Sequence, residues 1–245
     1  MKSPIVAANW KMNLTIEEGL DLVKQVLDGS SSDGSEIIFF PPSIALSAIG
    51  GVLKNTDYKV GIQNIHHEKS GAYTGEISAE MVKFLYVQYA IIGHSERRQY
   101  FFETDAQING KIKSALSANL CPVVCVGESL PERQSGKTNE ILKKQLMSAL
   151  KDIDNISDRL VIAYEPVWAI GTGKSADLNQ VYDAHNFINE ILQSRFKNHT
   201  PILYGGSVKA ENASELCQIK NVDGFLIGGA SLQSESFCQI IKNVT

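Results

Sequence analysis

Short apolar runs recur along the chain at near-regular intervals, each closed by glycine, proline, asparagine or a charged side chain. They fall at Ile5–Trp10, Ile37–Phe40, Lys59–Gln63, Tyr89–Gly93, Pro122–Val126, Leu160–Tyr164, Ile202–Tyr204 and Gly224–Ile227. Their hydrophobicity is nearly continuous rather than alternating, which predicts strands of a parallel sheet covered by helices. Segments of helical period lie between them. Thr15 with Glu18 forms a capping box ahead of Leu20, Val23 and Val26, and Thr104 with Gln107 forms another ahead of Ile108, Ile112 and Leu116. Ser78 precedes Ala79-Glu80-Met81-Val82. From Asp177 to Arg195, Leu178, Val181, Phe187, Ile188, Ile191 and Leu192 gather near one helical face. The polar stretch Gly29–Ser35 reads as a helix-to-strand loop. With no linker or low-complexity break, residues 1–245 read as one domain.

Two α/β architectures alternate strand and helix in this way, an open doubly wound sheet and a closed (β/α)8 barrel. No G-x-G-x-x-G follows the first strand, which counts against a dinucleotide site. Eight strand–helix units in 245 residues match the barrel. The barrel also accounts for the unusual polar residues, which fall at the C-terminal ends of strands, where such barrels carry their chemistry.

A hydrophobic content of 43% is ample for a core, and a net charge of −4 provides no basic field for nucleic acid. The longest apolar run, Glu36–Pro42, is stopped by prolines far short of a membrane span. Met1-Lys2-Ser3-Pro4 leads into the first strand without a signal-peptide pattern, so a cytoplasmic location is expected. Cys121, Cys125, Cys217 and Cys238 make no C-x-x-C pair and read as small buried hydrophobes in a reducing compartment, with Cys121 and Cys125 on one side of their strand.

The candidate chemistry sits just beyond the strands. Lys11 follows the first in Asn9-Trp10-Lys11, and His94 follows the fourth in Gly93-His94-Ser95-Glu96-Arg97-Arg98. Glu165 ends the sixth, with Pro166, Trp168, Ile170, Gly171 and Gly173 behind it, the composition of a carboxylate base under an apolar flap. A solvated lysine and a structural ion-pair cluster of Glu96, Arg97 and Arg98 are the plainer readings. Tyr204-Gly205-Gly206-Ser207-Val208 and Gly228-Gly229-Ala230-Ser231-Leu232 place glycine turns after strands seven and eight, where barrels bind phosphate. The long polar loop Gln63–Glu76 contains His66-His67. Without a third spaced ligand it reads as a partner-docking loop rather than a metal site.

These motifs, together with Tyr164–Lys174 and Gly224–Leu232, run in order from the first strand to the last and resemble the triosephosphate isomerase family. The resemblance implies interconversion of dihydroxyacetone phosphate and D-glyceraldehyde 3-phosphate without metal or organic cofactor. It implies Glu165 as the base, His94 as a neutral electrophile at a helix N-terminus, Lys11 as the positive charge and Glu96 as its support. Asn9, Lys11, Gly171, Ser207, Gly228 and Gly229 would hold the substrate and its phosphoryl group, and residues 167–175 would close over it. A homodimer is implied through the 64–76 loop, with Thr74 reaching the partner's 9–11 region. Three positions depart from the family pattern: Ser175 for a common threonine, Phe102 for a usual glycine, and His66-His67 in the loop. Two other readings start from the same residues. One is an aldolase using Lys11 as a Schiff base, and the other is a non-catalytic phosphate-binding or adhesion protein on the same fold.

Overall fold

The structure, a computed structural model, describes residues 3–154, 159–169 and 176–245. All eight expected strands form: β1 (Ile5–Asn9), β2 (Glu36–Phe40), β3 (Lys59–Ile62), β4 (Val87–Ile92), β5 (Cys121–Val126), β6 (Val161–Tyr164), β7 (Ile202–Tyr204) and β8 (Gly224–Ile227). Each pairs in parallel with the next, and β8 returns to β1 in the register Ile5↔Gly224 to Ala8↔Ile227. That last pairing closes the sheet and excludes the open alternative.

Closure explains the near-continuous apolar runs. Alternate residues such as Ala7, Ile38, Phe40, Ile91, Val123, Cys125, Ala163, Leu203 and Leu226 pack inside the barrel. Their neighbours, among them Val6, Ala8, Ile37, Phe39, Ile92, Val124 and Ile162, pack outward beneath the helices. Both faces are dry, so neither parity is free to be polar.

The helices are α1 (Ile16–Gly29), α2 (Leu46–Leu53), α3 (Ala79–Val82), α4 (Ser95–Tyr100), α5 (Asp105–Ser117), α6 (Leu130–Gln134), α7 (Thr138–Ala149), α8 (Leu178–Arg195), α9 (Ala210–Cys217) and α10 (Ser234–Val244). The predicted caps are made. Glu18 N–H donates to Thr15 Oγ1 at 3.3 Å while Thr15 N–H donates to Glu18 Oε2 at 2.8 Å, and Thr104 with Gln107 repeats the exchange. Asp177 caps α8 by accepting from Gln180 N–H at 2.9 Å. On that helix Val181, Ile188 and Leu192 are buried as expected, but Leu178 is exposed.

Strand limits differ from expectation by one or two residues. Trp10, Gln63, Gly93 and Leu160 lie outside the strands, whereas Glu36, Val87, Gln88 and Cys121 lie inside. Gly93 leaves because its φ of 72° is left-handed. Glu36 and Gln88 join because they sit where the strands begin, and an apolar filter passes over such polar positions. All four cysteines are free as expected, but only Cys125 is buried; the other three are half-buried. Burial pushes the Cys121 thiol up to about 12.

Candidate active site

The first loop presents Lys11 in an unusual backbone state. Its φ is 53°, a left-handed value rare outside glycine and asparagine. Three hydrogen bonds hold it there. Lys11 N–H donates to Asn9 Oδ1 at 3.0 Å, and Gln63 Nε2 donates to the carbonyls of Lys11 and Phe40, both at 2.8 Å. The Lys11 ammonium, aimed by this backbone, meets Glu96 Oε1 at 2.7 Å.

Gly93 turns the chain out of β4 and delivers His94 as the N-cap of α4. The expectation of a histidine at a helix N-terminus holds. His94 Nδ1 accepts the Glu96 N–H at 3.2 Å, so the proton of a neutral ring sits on Nε2. Nε2 lies 2.9 Å from Glu165 Oε1, and the other carboxylate oxygen, Oε2, accepts the Ser95 N–H at 2.9 Å. Glu165 follows β6 and keeps one more rung of pairing, with its N–H on Val126 O at 2.8 Å, before Pro166 ends the ladder.

Arg97 and Arg98 follow the structural reading. Arg98 Nε donates to Gly93 O at 3.0 Å and its Nη1 meets Asp105 at 2.7 Å, bracing the turn. Arg97 lies 3.5 Å from Glu103, a carboxylate also held by Lys111.

Burial disfavours charge on both members of the His94–Glu165 pair, but each opposes that effect in the other. The net result holds His94 above the ordinary imidazole range and Glu165 below the ordinary carboxyl range. The Ser95 N–H and Lys11 add to the lowering of Glu165. The stability Glu165 contributes is present above the ordinary carboxyl range and is lost as pH falls through its lowered value. The contribution of His94 is complete below the ordinary imidazole range and is lost as pH rises through its raised value. Between those two ranges the pair contributes most. In Glu165→Gln the carboxylate that raises His94 is gone while burial and Lys11 remain. NMR titration of the His94 ring is expected to show its midpoint moving down relative to wild type, and an unmoved midpoint would show that the pair does not set it.

A cavity of about 310 Å³ at the C-terminal mouth of the barrel gathers these groups. Asn9, Lys11, His94 and Glu165 line it together with the turns Gly205–Lys209 and Gly228–Ala230. Gly229–Leu232 is a short 3-10 turn, and its first N–H groups have no partner within the turn itself. The cavity therefore brings a carboxylate, an imidazole and an ammonium together with backbone turns whose N–H groups suit an oxyanion. Ser207, Gly228 and Gly229 all border it. Glu96 stands behind Lys11, in an adjoining cavity of about 350 Å³ shared with Met12, Gln63, Gly75 and Phe101. Gly171, with Ile170, Gly173 and Ser175, lies outside the described residues.

One acid escaped the sequence reading. Glu128 is fully buried, and its Oε1 accepts from Arg133 Nη1 at 3.0 Å, Trp168 Nε1 at 3.0 Å and Tyr164 OH at 3.2 Å. It therefore ties Trp168, in the 3-10 turn Val167–Ala169, to the end of β5. The signal was present in Val126-Gly127-Glu128, an acid just past an apolar strand, as Glu165 is. Gly127 is required there because a Cβ would stand 1.7 Å from the Glu165 carbonyl oxygen.

Among the described residues no three His, Cys, Asp or Glu side chains gather as ligands for a metal ion, and no helix is long and apolar enough to cross a membrane. His66 and His67 pack against each other with ring centroids 4.3 Å apart and planes tilted by 32°, and His66 packs on Tyr73 at 4.2 Å with a tilt of 38°.

The fold is that of a (β/α)8-barrel protein whose mouth cavity joins a carboxylate–imidazole pair and a lysine to glycine-rich turns. The sequence profile described as Triosephosphate isomerase matches residues 4–244. The triosephosphate isomerase of Alkaliphilus oremlandii (strain OhILAs) is 46% identical over 247 residues, covering 99% of this chain and 100% of that one. That of Dehalococcoides mccartyi (strain CBDB1) is 47% identical over 247 residues, covering 99% and 96%. The crystal structure of triosephosphate isomerase from Bartonella henselae superposes with a TM-score of 0.90 at 39% identity, covering 98% of each chain. The chain belongs to the triosephosphate isomerase family, the enzymes that interconvert dihydroxyacetone phosphate and D-glyceraldehyde 3-phosphate.

Proposed function

We propose that the mouth cavity performs this isomerisation, with Glu165, His94 and Lys11 acting on a triose phosphate held by the two glycine turns. The observation that carries the reading is the approach of His94 Nε2 to Glu165 Oε1 at 2.9 Å in the cavity that also holds Lys11 and both turns. Substrate carbon enters between them, and the Glu165 carboxylate leaves the Ser95 N–H to remove the proton beside the carbonyl. Negative charge then develops on the two substrate oxygens. His94 Nε2–H donates to them, and departure of the carboxylate toward carbon removes the main influence that raises the imidazole, so the neutral ring is the form in use. Lys11 balances the charge on the enediolate and on the phosphoryl group. Glu96 positions Lys11, Asn9 holds the loop beneath it, and Ser207, Gly228 and Gly229, with Gly171, bind phosphate chiefly through backbone N–H. Return of the proton to the neighbouring carbon completes an isomerisation that consumes no cofactor.

The reading extends to one domain spanning the chain, located in the cytoplasm and paired as a homodimer. Residues 68–76 are all exposed, and Met12, 95% exposed, borders the cavity beside Lys11 with Phe101. A two-fold dimer would seat the 64–76 loop of each subunit, Thr74 included, in that cavity of the other. The aldolase reading is disfavoured because Lys11 Nζ is held against Glu96 Oε1 at 2.7 Å rather than left free to attack a carbonyl.

The test is turnover of D-glyceraldehyde 3-phosphate in deuterated water. Conversion with solvent deuterium placed on product carbon is expected. Cleavage of a carbon–carbon bond with a borohydride-trapped adduct on Lys11, or no conversion, would overturn the proposal.

A further inference from the structure

The end of β5 meets the chain that carries Glu165 as closely as two backbones can. Glu165 N–H donates to Val126 O at 2.8 Å, and Val167 N–H donates to Glu128 O at 3.2 Å. Gly127 lies between those two acceptors. A Cβ on it would stand 1.7 Å from the Glu165 carbonyl oxygen and 2.7 Å from the carbonyl carbon, so its α-carbon rests directly on the Glu165 peptide. The Glu128 side chain adds Tyr164 OH at 3.2 Å and Trp168 Nε1 at 3.0 Å. Residues 126–128 therefore grip the chain from Tyr164 to Trp168, on both sides of the carboxylate.

One side chain in turn holds that grip. Gly127 lies just past the last residue of β5, and both of its polar groups go to Gln145. Gly127 N–H donates to Gln145 Oε1 at 2.9 Å, and Gln145 Nε2 donates to Gly127 O at 3.0 Å. The amide thus binds one residue's backbone at two points, which fixes its orientation as well as its position. Gln145 reaches Gly127 from α7, a helix anchored by buried Leu142, Leu146 and Ala149. Among the described residues that line the mouth cavity, none comes from α7. The path to the site is nonetheless short. It runs from the Gln145 amide to the Gly127 peptide, to the Glu165 main chain, and to the carboxylate that meets His94 Nε2 and the Ser95 N–H, both at 2.9 Å.

We infer that Gln145 is a positioning residue for the base: its two-way bond to Gly127 sets where the Glu165 main chain lies, and so how the carboxylate meets substrate. The inference rests on the reading of Glu165 as the base and adds to it a residue that touches no substrate. A methionine in place of Gln145 would keep most of the packing but leave the Gly127 N–H and C=O without their partner. Relaxation of that peptide moves Gly127, and the direct contact between Gly127 and Glu165 passes the movement on. A catalytic group misplaced by on the order of 1 Å loses about 10²-fold in rate, so a partial shift is read in kcat.

Steady-state kinetics of the full chain with D-glyceraldehyde 3-phosphate tests it in Gln145→Met and Gln145→Glu, each assayed well below its unfolding temperature. We expect Gln145→Met to lower kcat about tenfold, with KM and inhibition by inorganic phosphate within about twofold of wild type, because the turns that hold phosphate are untouched. In Gln145→Glu the ionised carboxylate still accepts the Gly127 N–H but repels the Gly127 oxygen. Once protonated, it donates to that oxygen as the amide does. Its kcat relative to wild type is expected to be about tenfold lower at about pH 8 and to recover as pH falls toward about 5, while the ratio for Gln145→Met stays flat. A purely structural role would not produce that recovery. Wild-type kcat in both variants, a loss carried by KM, or a Gln145→Glu ratio that does not change with pH would overturn the role of Gln145 and leave Glu165 as the base. A wild-type chain that does not isomerise the substrate would overturn the reading of Glu165 itself, and the inference with it.

Discussion

Glu165→Gln is expected to lower kcat for D-glyceraldehyde 3-phosphate by about 10³-fold, or about 4 kcal/mol of barrier, with KM changed only a few-fold. The amide has the same shape and can still accept the Ser95 N–H that Oε2 accepts at 2.9 Å, so the pocket keeps its form. What it lacks is the capacity to take a proton from carbon. The role assigned to Glu165 is confined to the transition state, so the loss falls on kcat and not on the holding of phosphate by the Gly205–Lys209 and Gly228–Ala230 turns of the same cavity. Stopped-flow or coupled steady-state kinetics decides the matter. A variant with near-normal kcat and a greatly raised KM would make Glu165 a binding group and remove it as the base.

Lys11→Met is expected to show the opposite division of effects. Removal of the ammonium takes away charge balance for the enediolate and for the phosphoryl group together, so kcat/KM falls by about 10²- to 10³-fold and phosphate-ligand affinity falls with it. Folding should be little affected. Glu96, left without the partner it meets at 2.7 Å, is 38% exposed on its side chain, and water can solvate the freed carboxylate. The methionine stem also preserves most of the packing of the lysine chain. Equilibrium binding of inorganic phosphate, followed by calorimetry on wild type and variant, separates this assignment from a purely structural one. Unchanged phosphate affinity alongside unchanged turnover would return Lys11 to the status of a solvated loop residue.

Some of this site was readable residue by residue. Glu165 stood out because a carboxylate directly after Val161–Tyr164 has no reason to be there in a buried strand. His94 stood out because it follows Ile91 and Ile92 in the same way. The paired glycine turns were legible because both fall at the strand ends where barrels hold phosphate. Glu128 was missed although it obeys the same pattern, because its role depends on Tyr164 and Trp168, two residues from another strand end. Gln63 was assigned to a strand, and nothing local says that its amide holds Lys11 at a left-handed φ. Arg97 and Arg98 kept two readings until their partners Glu103 and Asp105 were located.

By itself the sequence determined the order and number of strands, the helix starts at Thr15, Thr104 and Asp177, the places where backbone could turn, and the family. Hydrophobic period, capping chemistry and glycine all act through neighbours within a few residues along the chain, so a linear reading detects them. The tertiary structure alone decided that β8 meets β1, and with that closure everything that depends on distance between separate strand ends. It set Glu165 against His94, Lys11 against Glu96, and Trp168 on Glu128. It also shifted His94 and Glu165 in opposite directions and left the Phe102 ring in solvent. Charge interactions and burial depend on separation and solvent access in space, which no local pattern encodes until the sheet has closed.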